Sequence, residues 1–81
     1  MPTVLRHRGM CVRIYLNDHA PAHAHVIGGG NEASFILRCP HGPPLLRENH
    51  GFNRSEVTMA ARLITTHLQL LCERWSSIHG D

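Results

Sequence analysis

The C-terminal third of the chain carries the pattern that most restricts how the chain folds. Asn53-Arg54-Ser55-Glu56 has the form of a capping box, in which the Asn53 side chain accepts from the first helical turn and Glu56 reaches back. Apolar residues then recur at steps of three and four, which predicts one long amphipathic helix over about 54–78. This apolar stripe consists of Val57, Ala60, Ala61, Ile64, Leu68, Leu71, Trp75 and Ile78.

The first half of the chain alternates apolar and polar residues at the two-residue period of half-buried strands. The predicted strands cover residues 3–8, 11–16, 23–27 and 32–38, the first two joined at Arg8-Gly9-Met10 and the last two at Gly28–Asn31. Strands come first and the helix last, so the predicted class is α+β. We expect a small antiparallel sheet of three or four strands, within about 3–38, packed against the long C-terminal helix.

The segment between sheet and helix is less regular. Cys39-Pro40-His41-Gly42-Pro43-Pro44 ends the fourth strand, because proline lacks the amide that a ladder needs. A helical turn is predicted at Leu45–His50. A second apolar stripe on the long helix, Met59, Leu63 and Leu70, either contacts Leu45 and Leu46 or forms a homodimer or partner surface.

Length and composition indicate one domain over residues 1–81 with modest stability. The three cysteines lack any Cys-x-x-Cys pair, the first residues lack the apolar stretch typical of a signal peptide, and no run approaches the roughly 20 apolar residues of a membrane span. We therefore expect a cytoplasmic protein with free thiols and no membrane contact. The formal charge of +2 is carried by eight arginines without lysine, and it is too weak for strong non-specific DNA binding.

The run Asn17-Asp18-His19-Ala20-Pro21-Ala22-His23-Ala24-His25 contains the most chemically specific cluster. His23 and His25 lie two apart on a predicted strand, so both side chains point to the same face. His19 joins them only if the loop at Pro21 folds back, and Asp18 is placed to hold an imidazole tautomer as a hydrogen-bond acceptor.

Four interpretations of the cluster stay open. In the first, His19, His23 and His25 bind a divalent metal, zinc above all, with His41, Cys39 and His50 as further candidate ligands. In the second, the same histidines are the general acid and base of a ribonuclease-like reaction, with the guanidinium of Arg6, Arg8 or Arg13 balancing phosphorane charge. The third is a surface for a protein or RNA partner, and the fourth a structural role in backbone hydrogen bonding without a cofactor.

Three stretches of the chain match a known pattern: Met1-Pro2-Thr3-Val4-Leu5-Arg6, Asn17-Asp18-His19-x-Pro21-x-His23-x-His25-Val26, and Gly51-Phe52-Asn53-Arg54-Ser55-Glu56. With Trp75, they resemble the small prokaryotic domain-of-unknown-function family 4160 over nearly the whole chain. The segment Cys39–Pro44 departs from the family by being longer and richer in proline.

The resemblance implies an uncharacterised protein from a gene arrangement similar to a toxin–antitoxin pair, without assigned catalytic residues. The leading hypothesis is therefore a component of such a pair, which binds a small cognate protein and RNA through its histidine and arginine face. A metal-binding protein and a non-catalytic interaction module are the alternatives.

Overall fold

A computed structural model describes residues 3–80, so residues 1, 2 and 81 of the predicted domain, including Met1 and Pro2 of the first matching stretch, lie outside it. One antiparallel sheet has the strand order β1-β2-β3-β4-β5, and each strand pairs with its neighbour in the chain. The elements are β1 (Thr3–His7), β2 (Met10–Arg13), β3 (His23–Gly28), β4 (Asn31–Ile36), β5 (Leu45–His50), α1 (Arg54–Thr66) and α2 (Leu68–His79). The α+β class is confirmed, whereas the prediction of three or four strands and one helix was wrong.

Two tight turns connect the first four strands in pairs. Arg8 and Gly9 have φ values of 50° and 79°, and Gly29 and Gly30 have φ values of 55° and 82°. Two-residue turns with positive φ at both positions match the right-handed twist of the strands they join. The two hairpin joints predicted from the sequence are therefore present.

The fifth strand occupies Leu45–His50, where a helical turn was predicted. It pairs with β4 from Glu32 opposite His50 to Ile36 opposite Leu45. All six of its residues are exposed, because it is an edge strand held by backbone hydrogen bonds and not by a buried face. The prediction of a helical turn was wrong. A strand without a buried face has no alternation of apolar and polar residues, so the sequence did not indicate it.

The predicted long helix is divided at His67, whose φ of −113° and ψ of 24° lie outside helical values. The His67 ring Nδ1 donates to the Leu63 carbonyl oxygen at 3.0 Å. The predicted capping box is confirmed, since the Glu56 amide donates to Asn53 Oδ1 at 2.8 Å and the Asn53 amide to Glu56 Oε1 at 2.9 Å. The apolar stripe continues across the break, which is why periodicity alone predicted one helix.

The core lies between one face of the sheet and the buried faces of both helices. Val12, Val26 and Ala33 are adjacent across three strands and fully buried. The helices contribute Ala60, Leu63, Ile64, Leu68, Leu71 and Trp75 to the same core. Met59 and Leu70 of the second stripe stay exposed. A homodimer through this helix face stays a prediction.

Cys39 and Cys72 form a disulfide, so the prediction of three free thiols was wrong for these two residues, and Cys11 is free. The bond joins the connection between β4 and β5 to helix α2. The sequence lacked the spacing of a disulfide framework because the two cysteines are 33 residues apart and meet only through the tertiary fold. Between residues 3 and 80, no helix is both long and apolar enough to cross a membrane.

Candidate metal centre

A row of polar side chains crosses the sheet on the face that does not carry the core. Arg13 lies opposite His25, His25 opposite Ser34, and Ser34 opposite Glu48. Directly opposite residues share a face, and Arg13, His25 and Ser34 alternate along their strands with core residues. The polar row thus runs over β2, β3, β4 and β5, with His23 two residues before His25.

The turn after β2 fixes the position of the Asp18 carboxylate beside these histidines. The Asp18 amide donates to the Tyr15 carbonyl at 3.1 Å, and the Tyr15 amide donates to Asp18 Oδ2 at 3.0 Å. His25 Nε2 lies 3.2 Å from both carboxylate oxygens, and His23 Nε2 lies 3.5 Å from Oδ1. One ligand atom from each of the three residues lies within 4.8 Å of the others.

The second ring nitrogen of each histidine faces a further acceptor. His23 Nδ1 donates to the Pro21 carbonyl oxygen at 2.8 Å. His25 Nδ1 is buried and lies 3.3 Å from Glu32 Oε2, outside hydrogen-bond geometry. A metal-binding histidine characteristically directs its free ring nitrogen at a backbone carbonyl or carboxylate, which fixes the tautomer and orients the ring.

The number of N–H groups on the His23 ring limits how this ring can interact with Asp18. A neutral imidazole has one N–H, and in His23 it is engaged by Pro21, which leaves Nε2 as an acceptor. Its Nε2 then faces an acceptor oxygen of Asp18. Two acceptors this close attract each other only through a shared proton or a cation between them.

Aromatic rings enclose the cluster on the side toward helix α2. The Trp75 ring centroid lies 5.3 Å from that of His23 and 4.0 Å from that of His79. The Tyr15 ring centroid lies 4.8 Å from the His25 ring centroid. His23 is consequently only 5% exposed, and the low dielectric around it strengthens electrostatic interactions at its Nε2.

The pKa of the Asp18 carboxyl is lowered from its ordinary value. Burial is the largest influence and acts to raise this pKa. The hydrogen bond from the Tyr15 amide, together with the hydrogen bond and charge of His25 and the charge of His23, outweighs burial. Asp18 is therefore an ionised carboxylate at neutral pH, as a metal ligand has to be.

An open cleft of about 280 Å³ adjoins the cluster. His19 lines this cleft as an exposed side chain, but it is not one of the three converging residues. The full lining is Asn17, Asp18, His19, Ala20, His23, His25, Ser34, Arg47 and Glu48. The loop at Pro21 thus brings His19 to the rim of the cleft.

The other residues predicted for the site lie in different places. Arg6 is exposed and donates to Cys11 Sγ at 3.1 Å, and Arg13 lies in β2 opposite His25; neither lines the cleft. Of the additional ligand candidates, Cys39 is bonded to Cys72, His41 lines a separate pocket, and His50 lies 3.7 Å from Glu48.

Of the residues around the cleft, sequence reasoning indicated Asp18 and missed Arg47. Asp18 was predicted as a hydrogen-bond acceptor for an imidazole, and its carboxylate does contact His25 Nε2, with His23 Nε2 3.5 Å from Oδ1. An acidic residue in the polar turn immediately before a histidine run is the signal that indicated it. Arg47 gave no signal, because β5 itself was not predicted.

Comparison with known proteins gives a family and little more. No curated protein and no solved structure matches the chain. The model of one family, described as a domain of unknown function (DUF4160), matches residues 9–76, which include the Asp18–His25 run and most of both helices. The chain therefore belongs to the DUF4160 family.

Proposed function

We propose that this protein binds one divalent transition-metal ion, zinc in the first place, through Asp18, His23 and His25. The observation that carries the proposal is the convergence of two imidazole Nε2 atoms on one carboxylate. Ligands at about 2.0–2.1 Å in a tetrahedral shell lie about 3.3 Å from one another, and the two histidine–Asp18 pairs, at 3.2 and 3.5 Å, are close to this spacing. All three ligand atoms lie within 4.8 Å of one another, so the two imidazoles would draw together around a bound ion.

The donor set also favours this class of metal. Two neutral imidazoles and one carboxylate suit zinc and other first-row divalent ions, whereas calcium and magnesium prefer an all-oxygen shell. Three protein ligands would leave at least one position for water or another ligand, and all three residues line the open cleft. A catalytic zinc site has this composition, so hydrolytic chemistry is compatible with the proposal.

The competing explanation is a structural network without metal. In that case His25 Nε2 donates to the Asp18 carboxylate, 3.2 Å away, and Glu32 lies 3.3 Å from Nδ1 on the other side of the ring. Such a network holds the sheet and the turn together without any bound ion. Direct metal titration separates the two explanations.

The test is a zinc titration of protein purified without a polyhistidine tag and stripped with a chelator. Calorimetry is expected to give one equivalent of bound zinc. Trp75 is the only tryptophan of the chain, so binding of a paramagnetic ion such as Co²⁺ is expected to quench its fluorescence through the adjacent His23. Asp18→Asn and His25→Ala are expected to weaken zinc binding more than about 100-fold, beyond the usual cost of losing an outer partner.

His41→Ala is the matched control, because His41 is an exposed histidine in another pocket. It is expected to change zinc affinity less than about twofold. Circular dichroism of each variant verifies the fold before titration. Stoichiometry below about 0.2 equivalents in the wild type, or equal affinity in His25→Ala and His41→Ala, would refute the metal site.

The toxin–antitoxin-like role, the cognate protein partner, RNA binding and the ribonuclease-like activity stay predictions that follow from the resemblance and from residue types. The predicted catalysis needs an arginine close to the histidines. Arg6 and Arg13 do not line the cleft, whereas Arg47 does. The metal site is compatible with each of these roles.

A further inference from the structure

The cleft beside the metal ligands contains an arginine that the proposed metal site does not use. Arg47 lines it together with Glu48, although the two residues are consecutive on β5. In a regular strand consecutive side chains point to opposite faces. A register shift between Ser34 and Phe35 of β4 leaves Arg47 as an extra residue between Leu46 and Glu48.

The extra residue is a β-bulge, a distortion that re-aims side chains and is common beside functional sites. It lets Arg47 and Glu48 face the same cleft. Among residues 3–80, no carboxylate lies within salt-bridge distance of the Arg47 guanidinium, whereas Glu48 already lies 3.7 Å from His50 Nε2. The guanidinium is therefore available to an external anion.

We propose that the cleft binds a small carboxylate-bearing molecule between the metal ion and Arg47, an inference that rests on the proposed metal site. Guanidinium binds a carboxylate through two parallel hydrogen bonds, and the open coordination position of the metal accepts an oxygen of the same molecule. Asn17 and Ser34 add an amide and a hydroxyl to the cleft lining.

Size and charge favour a small carboxylate as the occupant. The cleft volume of about 280 Å³ lies at the lower limit of small-molecule pockets. Strands β3 and β5 are separated only by β4, so their backbones lie about 10 Å apart, and side chains from both reach a molecule of a few heavy atoms.

The formal charges of a bound divalent ion, Asp18, Arg47 and Glu48 add up to a single net positive charge at the cleft, although Glu48 does not pair with Arg47. A monocarboxylate neutralises that charge. A phosphate dianion exceeds it and also meets the Glu48 carboxylate, so inorganic phosphate is the comparison that tests the choice of ligand class.

The experiment titrates acetate and inorganic phosphate separately into full-length protein loaded with Co²⁺, and follows the visible absorption of the ion. Acetate is expected to perturb the spectrum saturably and to bind more tightly than phosphate. Arg47→Gln is expected to weaken acetate binding at least about tenfold while Co²⁺ affinity changes less than about twofold. Arg47→Lys is expected to give an intermediate loss, because it keeps the charge and loses the paired donors.

Arg54→Gln is the matched control, since it removes the same charge from an exposed arginine at the start of α1, which lines a different pocket. It is expected to bind acetate like the wild type. Equal losses in Arg47→Gln and Arg54→Gln, or tighter binding of phosphate than acetate, would each overturn the proposal.

The two proposals fail in different ways. Absence of Co²⁺ and Zn²⁺ binding overturns the metal site and the carboxylate site together. One equivalent of bound metal with a spectrum that acetate does not change overturns the carboxylate site and leaves the metal site intact.

Discussion

His25 lies between two carboxylates, and this position makes it the most constrained residue of the open sheet face. Its Nε2 is 3.2 Å from Asp18 and its Nδ1 is 3.3 Å from Glu32. A neutral imidazole has one N–H and satisfies only one of these acceptors. If Nε2 held the proposed metal ion, the single proton would stay on Nδ1, on the side of Glu32, although the 3.3 Å contact there lies outside hydrogen-bond geometry.

Asp18 makes a pH-dependent contribution to the stability of the metal-free protein. The pKa of its carboxyl is lower in the folded state than its ordinary value near 3.9, because the Tyr15 amide and the two imidazoles outweigh burial. A lowered pKa stabilises the fold above the ordinary value, and this stabilisation is lost as the pH falls through the folded-state pKa. Between about pH 5 and pH 2, the free energy of unfolding is therefore expected to fall more steeply in the wild type than in Asp18→Asn.

Urea unfolding with a chelator present measures this difference at both pH values. The wild type is expected to exceed Asp18→Asn in unfolding free energy at about pH 5, and the gap is expected to narrow at about pH 2. Since the variant keeps a side chain of similar size, the comparison isolates the ionisable group. A gap of the same size at both pH values would contradict the assigned direction of the pKa.

Among the elements, those defined by local pattern were predictable and those defined by tertiary pairing were not. β3 and β4 carry alternating side chains, and α1 carries a complete capping box, so the sequence alone indicated them. β5 exists because its backbone pairs with β4, and nothing in its exposed side chains reports that pairing.

The same distinction applies to the candidate site. His23 and His25 share a face because of strand geometry, which sequence reasoning supplies. Asp18 and Arg47 reach them through a turn and a bulge, and both are features of backbone conformation that residue types alone do not fix. Arg47, the cleft residue that sequence reasoning did not place, is thus carried by irregular backbone.

Helix α1 supplies an element-scale prediction through its capping box. Asn53→Ala removes the acceptor of the Glu56 amide and is expected to lower the free energy of unfolding by about 1 kcal/mol. Asn53→Asp keeps an acceptor oxygen and adds a charge that favours the helix N-terminus, so it is expected to match the wild type or exceed it. Denaturant unfolding of the three proteins measures both effects, and equal losses in the two variants would exclude the capping contribution.

For the whole molecule, the bond between Cys39 and Cys72 links the connection after β4 to helix α2, which also carries Trp75. Cys72 and Trp75 are three residues apart on α2, so they lie on neighbouring positions of one helix face. Trp75 in turn contacts the His23 ring, with centroids 5.3 Å apart. The disulfide therefore helps to hold the aromatic cover over His23.

Removal of the disulfide is expected to weaken both the fold and the metal site. A cross-link that closes a loop of 33 residues stabilises a protein by about 3–4 kcal/mol through the entropy of the unfolded chain. The double variant Cys39→Ser, Cys72→Ser is expected to lose this amount in urea unfolding and to bind zinc more weakly than the wild type. Cys11→Ser, which removes the free thiol, is the control and is expected to keep the zinc affinity.

Thiol counting under denaturing, non-reducing conditions checks the premise and is expected to give one reactive cysteine per chain, Cys11. Three reactive cysteines in the purified protein, or unfolding free energies that agree between the double variant and Cys11→Ser, would contradict the cross-link. A loss of stability with unchanged zinc affinity would instead separate the two effects. In that case the packing of Leu71 and Trp75 in the core is enough to keep the Trp75 ring against His23 without the disulfide, since both residues are buried.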